Sequence, residues 1–357
     1  MSVLVTGGAG YIGSHMALGL LDRGEKVVVC DDLSRGNLSL VPKGVRFYQQ
    51  DVGDKAAMTR ILRDEGVDSV VHFAGYVVVP ESVSNPALYY EKNTLTSLRL
   101  AEACLAANVP RIIFSSTAAV YGDSSNAPVG EAHPLNPVSP YGRSKLMTEA
   151  MLRDIGSSNG LRSVCLRYFN VAGADPDGRS GQSSSNATHL IKAMSQVATG
   201  KKEFLTVFGN DYPTPDGTCV RDYIHVTDLI DAHYLALLDI RQDIGAQQKI
   251  YNCGYGVGAS VLEVLACMEK TVGTPLPVRM GDRRAGDPPG GGRREFGNSA
   301  RLRLATAVRR SPHDHSHGTG LGEGSLLCPA SLSSSADITT RAEGINEAGA
   351  RFLGCPT

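Results

Sequence analysis

A chain of 357 residues with 42% hydrophobic and 20% charged residues has the composition of a soluble globular protein and is long enough for about two domains. Its formal net charge of −1 gives no electrostatic reason to expect nucleic acid or an anionic membrane as a partner. No apolar run approaches the roughly 18 residues of a membrane-spanning helix, and a strand pattern follows Met1 directly, so we expect a cytoplasmic protein. The cysteines form no CxxC pair, and no metal site is expected.

Six apolar runs rich in β-branched residues predict buried strands in the first half of the chain. Their apolar character is nearly continuous, which is typical of a sheet covered on both faces. The runs are SVLVTG (2–7), KVVVCDD (26–32), VRFYQQD (45–51), SVVHFAG (69–75), RIIFSST (111–117) and RSVCLRYFN (162–170). Helix patterns lie between them, at HMALGLLDRG (15–24), KAAMTRILRDEG (55–66), TSLRLAEACLAANV (96–109) and SKLMTEAMLRDIG (144–156). This alternation predicts an α/β fold with a doubly wound, parallel, Rossmann-type sheet.

A second, smaller α/β lobe is predicted after about Ala172, where a polar connection rich in glycine and serine interrupts the pattern. A helix pattern (189–200), a short strand (203–209), a loop and a second helix pattern (226–240) follow. A cleft between two lobes is a common place for a small-molecule site. We assign residues 1–171 to the first domain and residues 172–289 to the second, from which some elements return to the first.

A glycine-rich turn follows the first strand and opens the first helix. The segment VTGGAGYIGSH (5–15) carries Gly7, Gly10 and Gly13, which permit a tight turn and a close approach of the backbone to a pyrophosphate. Asp31 ends the second strand and is expected to accept the adenosine ribose hydroxyls, which favours NAD over NADP. Arg35 lies close in sequence and could weaken that preference. The first domain is therefore predicted to bind NAD.

A tyrosine and a lysine provide a candidate for proton transfer. In SPYGRSK (139–145), Tyr141 and Lys145 are four residues apart and share one helix face. A lysine ammonium beside a phenol lowers the phenol pKa, which allows the phenol to accept and donate a proton. The hydroxyl residues 115–117 end a strand at the carboxyl edge of the sheet, where ligands of open α/β folds bind. One of these hydroxyls is expected to contact the same substrate oxygen as Tyr141.

Taken together, TGGAGYIGS, SSTAAVYG and SPYGRSK resemble the extended short-chain dehydrogenase/reductases of the NAD-dependent epimerase/dehydratase family. RYFNVAGADP, FGNDYPTPDGTCVRDYIHVTDL and RRAGDP narrow the resemblance to the branch that epimerises UDP-hexoses at C4. The resemblance runs from Met1 to about Pro289. It implies that Tyr141 takes the proton from the sugar 4-hydroxyl while hydride passes from C4 to NAD. The transient 4-keto sugar then turns over and takes hydride back on its other face, giving UDP-glucose from UDP-galactose or the reverse.

The resemblance also implies binding residues and a homodimer. Lys145 would lower the pKa of Tyr141 and hold the nicotinamide ribose, and Thr117 stands where the family has serine or threonine. The NAD set is Gly7, Gly10, Tyr11, Ile12, Gly13, Asp31, Asp32, Asp51, Val52, Phe73, Asn93, Tyr141, Lys145 and Phe169. The UDP-sugar set is Thr117, Asn170, His189, Arg221, Arg284 and Asp287, with the arginines on the pyrophosphate. Some members of the family carry a lysine where this chain has Val77.

Several alternatives stay open. From the residues alone, His189 could simply begin a helix, and Arg221 with Asp222 could form a surface ion pair. A dehydratase is the nearest rival enzyme, and it needs an acid and a base that relatives place directly after the threonine. Ala118 and Ala119 stand there instead. A decarboxylase, a reductase and an NAD-binding protein without turnover are further alternatives.

The sequence changes character at Gly290. No lysine follows Lys270, and residues 290–357 are rich in glycine, serine and arginine, a composition typical of disorder. We interpret residues 290–357 as an aberrant tail produced by a frameshift near codon 290, with a genuine low-complexity extension as the alternative. The NAD-binding domain precedes that point. The sugar lobe would lose a strand and a helix, and we expect lower UDP-sugar affinity.

Overall fold

The computed structural model describes residues 2–122, 129–183, 189–242, 247–256 and 258–284. The strands in these ranges are β1 Ser2–Thr6, β2 Lys26–Asp31, β3 Arg46–Gln49, β4 Val67–His72, β5 Arg111–Thr117, β6 Arg162–Tyr168, β7 Asn170–Ala172, β8 Leu205–Phe208, β9 Val220–His225, β10 Gln248–Cys253, β11 Gly258–Ser260 and β12 Val278–Gly281. The α-helices are α1 Tyr11–Leu21, α2 Lys55–Asp64, α3 Val79–Ser84, α4 Pro86–Tyr89, α5 Thr96–Ala106, α6 Pro140–Asn159, α7 Leu190–Ala198, α8 Val226–Arg241 and α9 Val261–Val272. The six strands and four helices predicted for the first half are all present.

The main sheet contains seven parallel strands in the order β10-β6-β5-β4-β1-β2-β3. The chain order reverses between β1 and β4, which are direct neighbours. In open α/β sheets this reversal opens a crevice at the carboxyl ends of the strands, and ligands bind there. The predicted doubly wound, Rossmann-type fold is confirmed.

Both faces of the main sheet are buried, as the continuous apolar runs predict. Val3 and Val5 of β1 pack on one face with α1 and α8, whereas Leu4 packs on the other face with α2, α5 and α6. Successive side chains of a strand point to opposite faces, so each face takes every second residue. The helices thus anchor both sides of the strands that end at the crevice.

A smaller unit lies beyond β6. Strand β9 pairs in parallel with β7 and antiparallel with β11, and β8 pairs in parallel with β12. Helices α7 and α9 pack on these strands in a separate apolar core. The predicted domain boundary after residue 171 falls inside β7, which already belongs to this smaller sheet.

Two elements that follow residue 172 in the chain pack with the main sheet. Helix α8 was predicted as part of the smaller lobe, but Leu229, Ile230 and Ala236 pack against α1 in the first core. Strand β10 adds to the edge of the main sheet beside β6. The sequence analysis did not predict this strand, because the run QKIYNC is short and partly polar. No helix in the described ranges has the length and apolarity to cross a bilayer.

Candidate active site

The glycine turn sits at the carboxyl end of β1, at the start of α1. Gly7 has a φ of +67°, and a Cβ atom there would lie 2.7 Å from the amide nitrogen of Ala74. A Cβ atom on Gly13 would lie 2.2 Å from the carbonyl oxygen of Gly7. Gly10 precedes the helix as its N-cap and donates to the same carbonyl at 3.0 Å. Only glycine allows this close packing of turn and helix, which leaves the helix N-terminus open to a phosphate.

The first residues of α1 use their side chains within the protein. The Tyr11 hydroxyl donates to the carbonyl oxygen of Gly173 at 2.6 Å and so links α1 to the segment after β7. Ile12 packs against the first core. The side chains of Tyr11 and Ile12 are thus engaged within the protein. Their main-chain N–H groups, at the helix N-terminus, are the groups suited to a pyrophosphate.

Asp31 is buried at the end of β2 and faces the glycine turn. Its two carboxylate oxygens accept the N–H groups of Ala9 at 3.0 Å and Leu33 at 2.8 Å. Burial raises the pKa of Asp31, and these two hydrogen bonds oppose that shift. The neighbouring Asp32 is exposed and accepts the N–H of Ser34 at 2.9 Å. Of the two carboxylates, Asp31 is the one that lies beside the turn.

Arg35 is engaged on the far side of the crevice. Its guanidinium donates to Glu81 at 2.6 Å and lies 4.2 Å above the ring centroid of Tyr76. Tyr76 and Glu81 follow β4, and Arg35 follows β2. Arg35 was expected to weaken the preference for NAD over NADP. Glu81 opposes this effect, because its carboxylate already binds the guanidinium of Arg35. Val77, where some members of the family carry a lysine, is exposed.

Asp51 and Val52 lie just beyond the end of β3. The Asp51 carboxylate accepts the N–H of Gly53 at 2.7 Å and the ammonium of Lys92 at 3.4 Å. Val52 is buried in the second core with α2 and α5. The structure thus places both residues at the carboxyl edge, with Asp51 partly exposed and able to accept further hydrogen bonds.

Phe73 and Asn93 frame the crevice from the β4 side. The Phe73 ring packs against His233, with 4.8 Å between ring centroids. The Asn93 side chain accepts the N–H of Tyr76 at 2.7 Å and donates to the carbonyl of Tyr76 and the hydroxyl of Ser144, each at 3.0 Å. Both amide hydrogens of Asn93 are thus used inside the protein, and it joins the segment after β4 to helix α6.

The catalytic candidates meet beside this crevice. Ser139 caps helix α6 by accepting the N–H of Gly142 at 3.2 Å, which fixes the first turn that carries Tyr141. Tyr141 and Lys145 are both buried on this helix. The Lys145 ammonium donates to the carbonyl oxygen of Ser115 at 2.8 Å. Thr117, two residues later on the same strand, hydrogen-bonds Tyr141 through its side chain.

The pKa values of this group depend mainly on burial. Burial lowers the pKa of Lys145 to about 8, and the negative charge of Glu149 opposes that shift. Burial raises the pKa of Tyr141, and the hydrogen bond with Thr117 opposes it only partly. The sequence predicted a lowered Tyr141 pKa, and this direction is wrong for the structure as it stands. The reason is that Lys145 donates to Ser115, and burial is the larger influence on the phenol.

The sequence did not identify Tyr168 as part of this group. Its hydroxyl forms a short hydrogen bond with the Ser115 side chain. Burial raises the pKa of Tyr168, and the negative charge of an ionised Tyr141 raises it further. Tyr168 ends β6, in register with Thr117 of β5. The sequence did contain a signal for Tyr168. It is a tyrosine at the end of β6, and β6 is the strand next to β5, which ends with Ser115–Thr117.

The residues predicted for the UDP-sugar lie around β7 and β9. Asn170 donates to the carbonyl oxygen of Asp222 at 3.3 Å, and Phe169 packs on the small apolar cluster near Tyr121. His189 begins helix α7, and its Nδ1 lies 2.5 Å from the amide nitrogen of Gln182. Asp287 lies outside the described residues.

Two arginines converge in this region. The charges of Arg221 and Arg284 both act on the Tyr223 hydroxyl, and the charge of Arg284 also acts on His189. Asp222 is buried and accepts the N–H groups of residues 255 and 256 at 3.1 and 3.0 Å. Its carboxylate therefore serves the protein interior, and the alternative of a surface ion pair with Arg221 does not hold.

The described residues contain no group of three His, Cys, Asp or Glu side chains placed to hold a metal ion. Cys30, Cys104, Cys165, Cys219 and Cys253 are free thiols.

Residues 3–254 match the NAD dependent epimerase/dehydratase family. A curated relative, the UDP-glucose 4-epimerase of Azospirillum brasilense, is 55% identical over 287 residues, which cover 80% of this chain and 82% of the relative. The crystal structure of UDP-glucose 4-epimerase from Brucella ovis in complex with NAD superposes with a TM-score of 0.79 at 43% identity, covering 86% of this chain and 92% of that one. The Bifidobacterium longum enzyme in complex with NAD+ and UDP gives a TM-score of 0.77 at 36% identity, covering 86% and 97%. This chain belongs to the NAD dependent epimerase/dehydratase family.

Proposed function

We propose that this chain interconverts UDP-galactose and UDP-glucose by reversible epimerisation at C4, with NAD as its cofactor. The observation that carries the proposal is the meeting of Thr117, Tyr141 and Lys145 at the carboxyl edge that also carries the glycine turn. Relatives named as UDP-glucose 4-epimerases cover most of the chain and support the same reaction.

The residues at the crevice fit NAD. The backbone is so close at Gly7 and Gly13 that a Cβ atom on either would collide with the main chain, and the N-terminus of α1 offers its N–H groups to the pyrophosphate. The Asp31 carboxylate keeps acceptor capacity for ribose hydroxyls, because each of its oxygens can accept more than one hydrogen bond. Bound NAD would supply the acceptor, and then the donor, of the hydride at C4 of the sugar.

Tyr141 is the group proposed to move the proton at the sugar 4-oxygen. Its phenol hydrogen-bonds the Thr117 side chain, and we assign the Thr117 hydroxyl to the same sugar oxygen. Because burial raises the pKa of Tyr141, the phenolate needs a positive charge to stabilise it. The ammonium of Lys145 lies one helical turn along the same face and supplies such a charge.

The proposed UDP-binding end lies in the smaller unit. Arg221 and Arg284 converge near Tyr223, and arginine suits a pyrophosphate because its guanidinium can donate two parallel hydrogen bonds. Asn170 and His189 lie on the elements that flank this region. We assign all four to the UDP-sugar, and Asp287 by resemblance.

A dehydratase is less well supported by the structure. Residues 118–121 form a 3₁₀ turn that Thr117 caps, and the first two of them, Ala118 and Ala119, offer no acid or base for the loss of water. No specific feature of the described site favours a decarboxylase or a reductase. An NAD-binding protein without turnover would not need a buried tyrosine and lysine at this edge.

The experiment is the conversion of UDP-galactose to UDP-glucose by the purified protein with NAD. We expect turnover by wild type and a loss of roughly 10²- to 10⁴-fold in kcat for Tyr141→Phe. Tyr234→Phe, on the outer helix α8, is the matched control and should behave as wild type. A 4-keto-6-deoxy sugar as product would show a dehydratase, and NAD binding with no product would show a binding protein. Either result would refute the proposal.

We propose a homodimer, a cytoplasmic location and a division into an NAD-binding domain of residues 1–171 and a UDP-sugar lobe of residues 172–289. Strand β10 and helix α8 return from the second segment to the main sheet, which accords with that division.

A further inference from the structure

A buried ion pair lies directly beneath the proposed active site. Glu149 on α6 is 3% exposed and Arg167 on β6 is 1% exposed. The guanidinium donates to both carboxylate oxygens, with Nε at 2.9 Å and a terminal nitrogen at 2.5 Å. Neither residue belongs to the sets that the sequence predicts for NAD or the UDP-sugar.

The pair is attached to the strand that carries the catalytic hydroxyl. The Ser116 hydroxyl donates a short hydrogen bond to Glu149. Ser116 and Arg167 are register partners on β5 and β6. The two residues that flank Ser116 are the ones that touch the catalytic pair, because Ser115 receives the ammonium of Lys145 and Thr117 hydrogen-bonds Tyr141.

The pair is also attached to the helix that carries both catalytic residues. Glu149 lies four residues after Lys145 and eight after Tyr141 on α6, so all three lie on one side of the helix. A shift of Glu149 therefore moves the helix face and the strand edge together. The pair fixes their relative position at the point where they meet.

Arg167 extends this arrangement to β10, the edge strand beside β6. Its guanidinium donates to the hydroxyl of Tyr121 at 2.9 Å, and Tyr121 donates to Asn252 of β10 at 2.6 Å. The 3₁₀ turn that begins after Thr117 is thereby tied to β6 and β10. The network holds the strand end from both sides.

Stability alone does not account for a buried pair of this kind. Desolvation of two ions offsets most of their attraction, and apolar residues of similar volume are often as stabilising or more so. Loss of one partner, in contrast, leaves an uncompensated buried charge and is strongly destabilising. A function in positioning and charge accounts for both the burial and the choice of contacts.

We propose that the Glu149–Arg167 pair is a positioning device for catalysis, which fixes the 115–117 strand edge against α6 and keeps the carboxylate of Glu149 one helical turn from Lys145. This inference rests on the proposed epimerase function. The titratable or charged groups around Lys145 are Tyr141 and Glu149 on its own helix, His72 on β4, and Tyr168 and Arg167 on β6, with Arg167 paired to Glu149. Burial keeps His72 neutral, and Glu149 is the neighbour whose charge favours the ammonium of Lys145.

The first test is Glu149→Gln, which keeps the shape of the side chain and removes its charge. We expect kcat to fall roughly tenfold to hundredfold, because small displacements of catalytic groups have effects of that size, with KM little changed. We also expect the pKa of Lys145 to fall. NMR titration of isotope-labelled lysine side chains in the protein without substrate measures it, with Lys145 assigned from the spectrum of Lys145→Met.

Glu25→Gln is the matched control. Glu25 pairs with Arg241 at 2.6 Å, away from the catalytic residues. It should lose a similar or smaller amount of stability while kcat, KM and the Lys145 titration stay as in wild type. An unchanged Lys145 titration in Glu149→Gln would overturn the proposal.

The double variant Glu149→Leu/Arg167→Met separates positioning from folding. We expect it to unfold near the wild-type temperature, since an apolar pair replaces the ionic one, and to keep a low kcat. A folded double variant with wild-type kcat would overturn the proposal. Failure of the proposed function is distinguishable, because wild type itself would then show no interconversion of UDP-sugars while the Lys145 titration would still respond to Glu149→Gln.

Discussion

The ammonium of Lys145 and the main-chain carbonyl of Ser115 form a hydrogen bond of 2.8 Å in a region that excludes almost all solvent. The bond joins helix α6 to the end of β5 beside the proposed reaction site. The bond fixes a positive charge at a buried position. Burial disfavours that charge and lowers the pKa of Lys145 from 10.5 to about 8. A buried ammonium with a lowered pKa destabilises the folded state, and the size of this effect depends on pH.

Lys145→Met should unfold at a higher denaturant concentration than wild type at neutral pH while losing most activity. The shift in pKa corresponds to about 3 kcal/mol of destabilisation by the charged form. Between pH 8 and 10.5 the unfolded state binds more protons than the folded state, so wild-type stability rises with pH in that window. The advantage of the variant should therefore shrink from neutral pH to pH 10.5.

Urea unfolding of both proteins across this pH range makes the measurement. Lys249→Met is the control, because Lys249 forms an ion pair with Asp239 at 2.8 Å and its loss should bring no gain at neutral pH. An advantage of Lys145→Met that is absent, or that does not vary with pH, would contradict the prediction.

Gly13→Ala should abolish binding of NAD. A Cβ atom at this position would lie 2.2 Å from the carbonyl oxygen of Gly7, and the next nearest atoms, at 2.8 Å, are main-chain atoms of Gly7 and Gly8 that cannot move as a side chain could. Gly130→Ala is the matched control, since a Cβ atom there meets no atom within 4 Å. The nucleotide content of the purified proteins, read from their ultraviolet spectra, should be near zero for Gly13→Ala and wild type for Gly130→Ala. Retention of NAD by Gly13→Ala would show that the cofactor does not rest on this turn.

Glu81→Gln should release NAD faster than wild type. Arg35 follows β2 and Glu81 follows β4, and β1 with its glycine turn lies between those two strands. The Arg35–Glu81 contact therefore spans the place proposed for the pyrophosphate. Both side chains are partly exposed, so the pair contributes at most about 1 kcal/mol, or roughly a fivefold change in the rate of NAD loss.

Exchange of bound NAD against a labelled nucleotide measures that rate. Glu102→Gln removes a comparable ion pair with Arg99 on helix α5 and should leave the rate unchanged. Equal rates for Glu81→Gln and wild type would mean that the contact does not enclose the cofactor.

The sequence predicted the elements of the main sheet well because its strands are buried on both faces. In KVVVCDD, residues 27–30 are apolar at four successive positions and polar residues bound them, which is typical of a short strand buried on both faces. The sequence predicted that some elements after residue 172 return to the first domain but did not identify α8 as one of them, because its apolar stripe is clear in sequence whereas its packing partner is set by the tertiary fold. Residues such as Leu229 and Ile230 could pack on either unit, and the structure places them on α1.

The site divides in the same way. Gly7, Gly13 and the Tyr141/Lys145 spacing carry their chemistry in the local sequence, so their places at the crevice could be foreseen. The contacts of Lys145 could not, because Ser115 and Glu149 reach it through the packing of α6 on β5. The predicted direction of the Tyr141 pKa shift was wrong for the same reason, because burial raises this pKa and burial is a property of the whole fold.

Sequencing of the gene around codon 290 should show a neighbouring frame that encodes an apolar strand followed by a helix. Three GTG valine codons preceded by one extra G read as three GGT glycine codons, which would account for the glycine run 290–292. A protein translated in that frame should bind UDP more tightly than this chain, because the sugar lobe would regain part of its core, whereas NAD binding should be the same in both. A neighbouring frame that encodes neither element would leave a genuine low-complexity extension as the explanation.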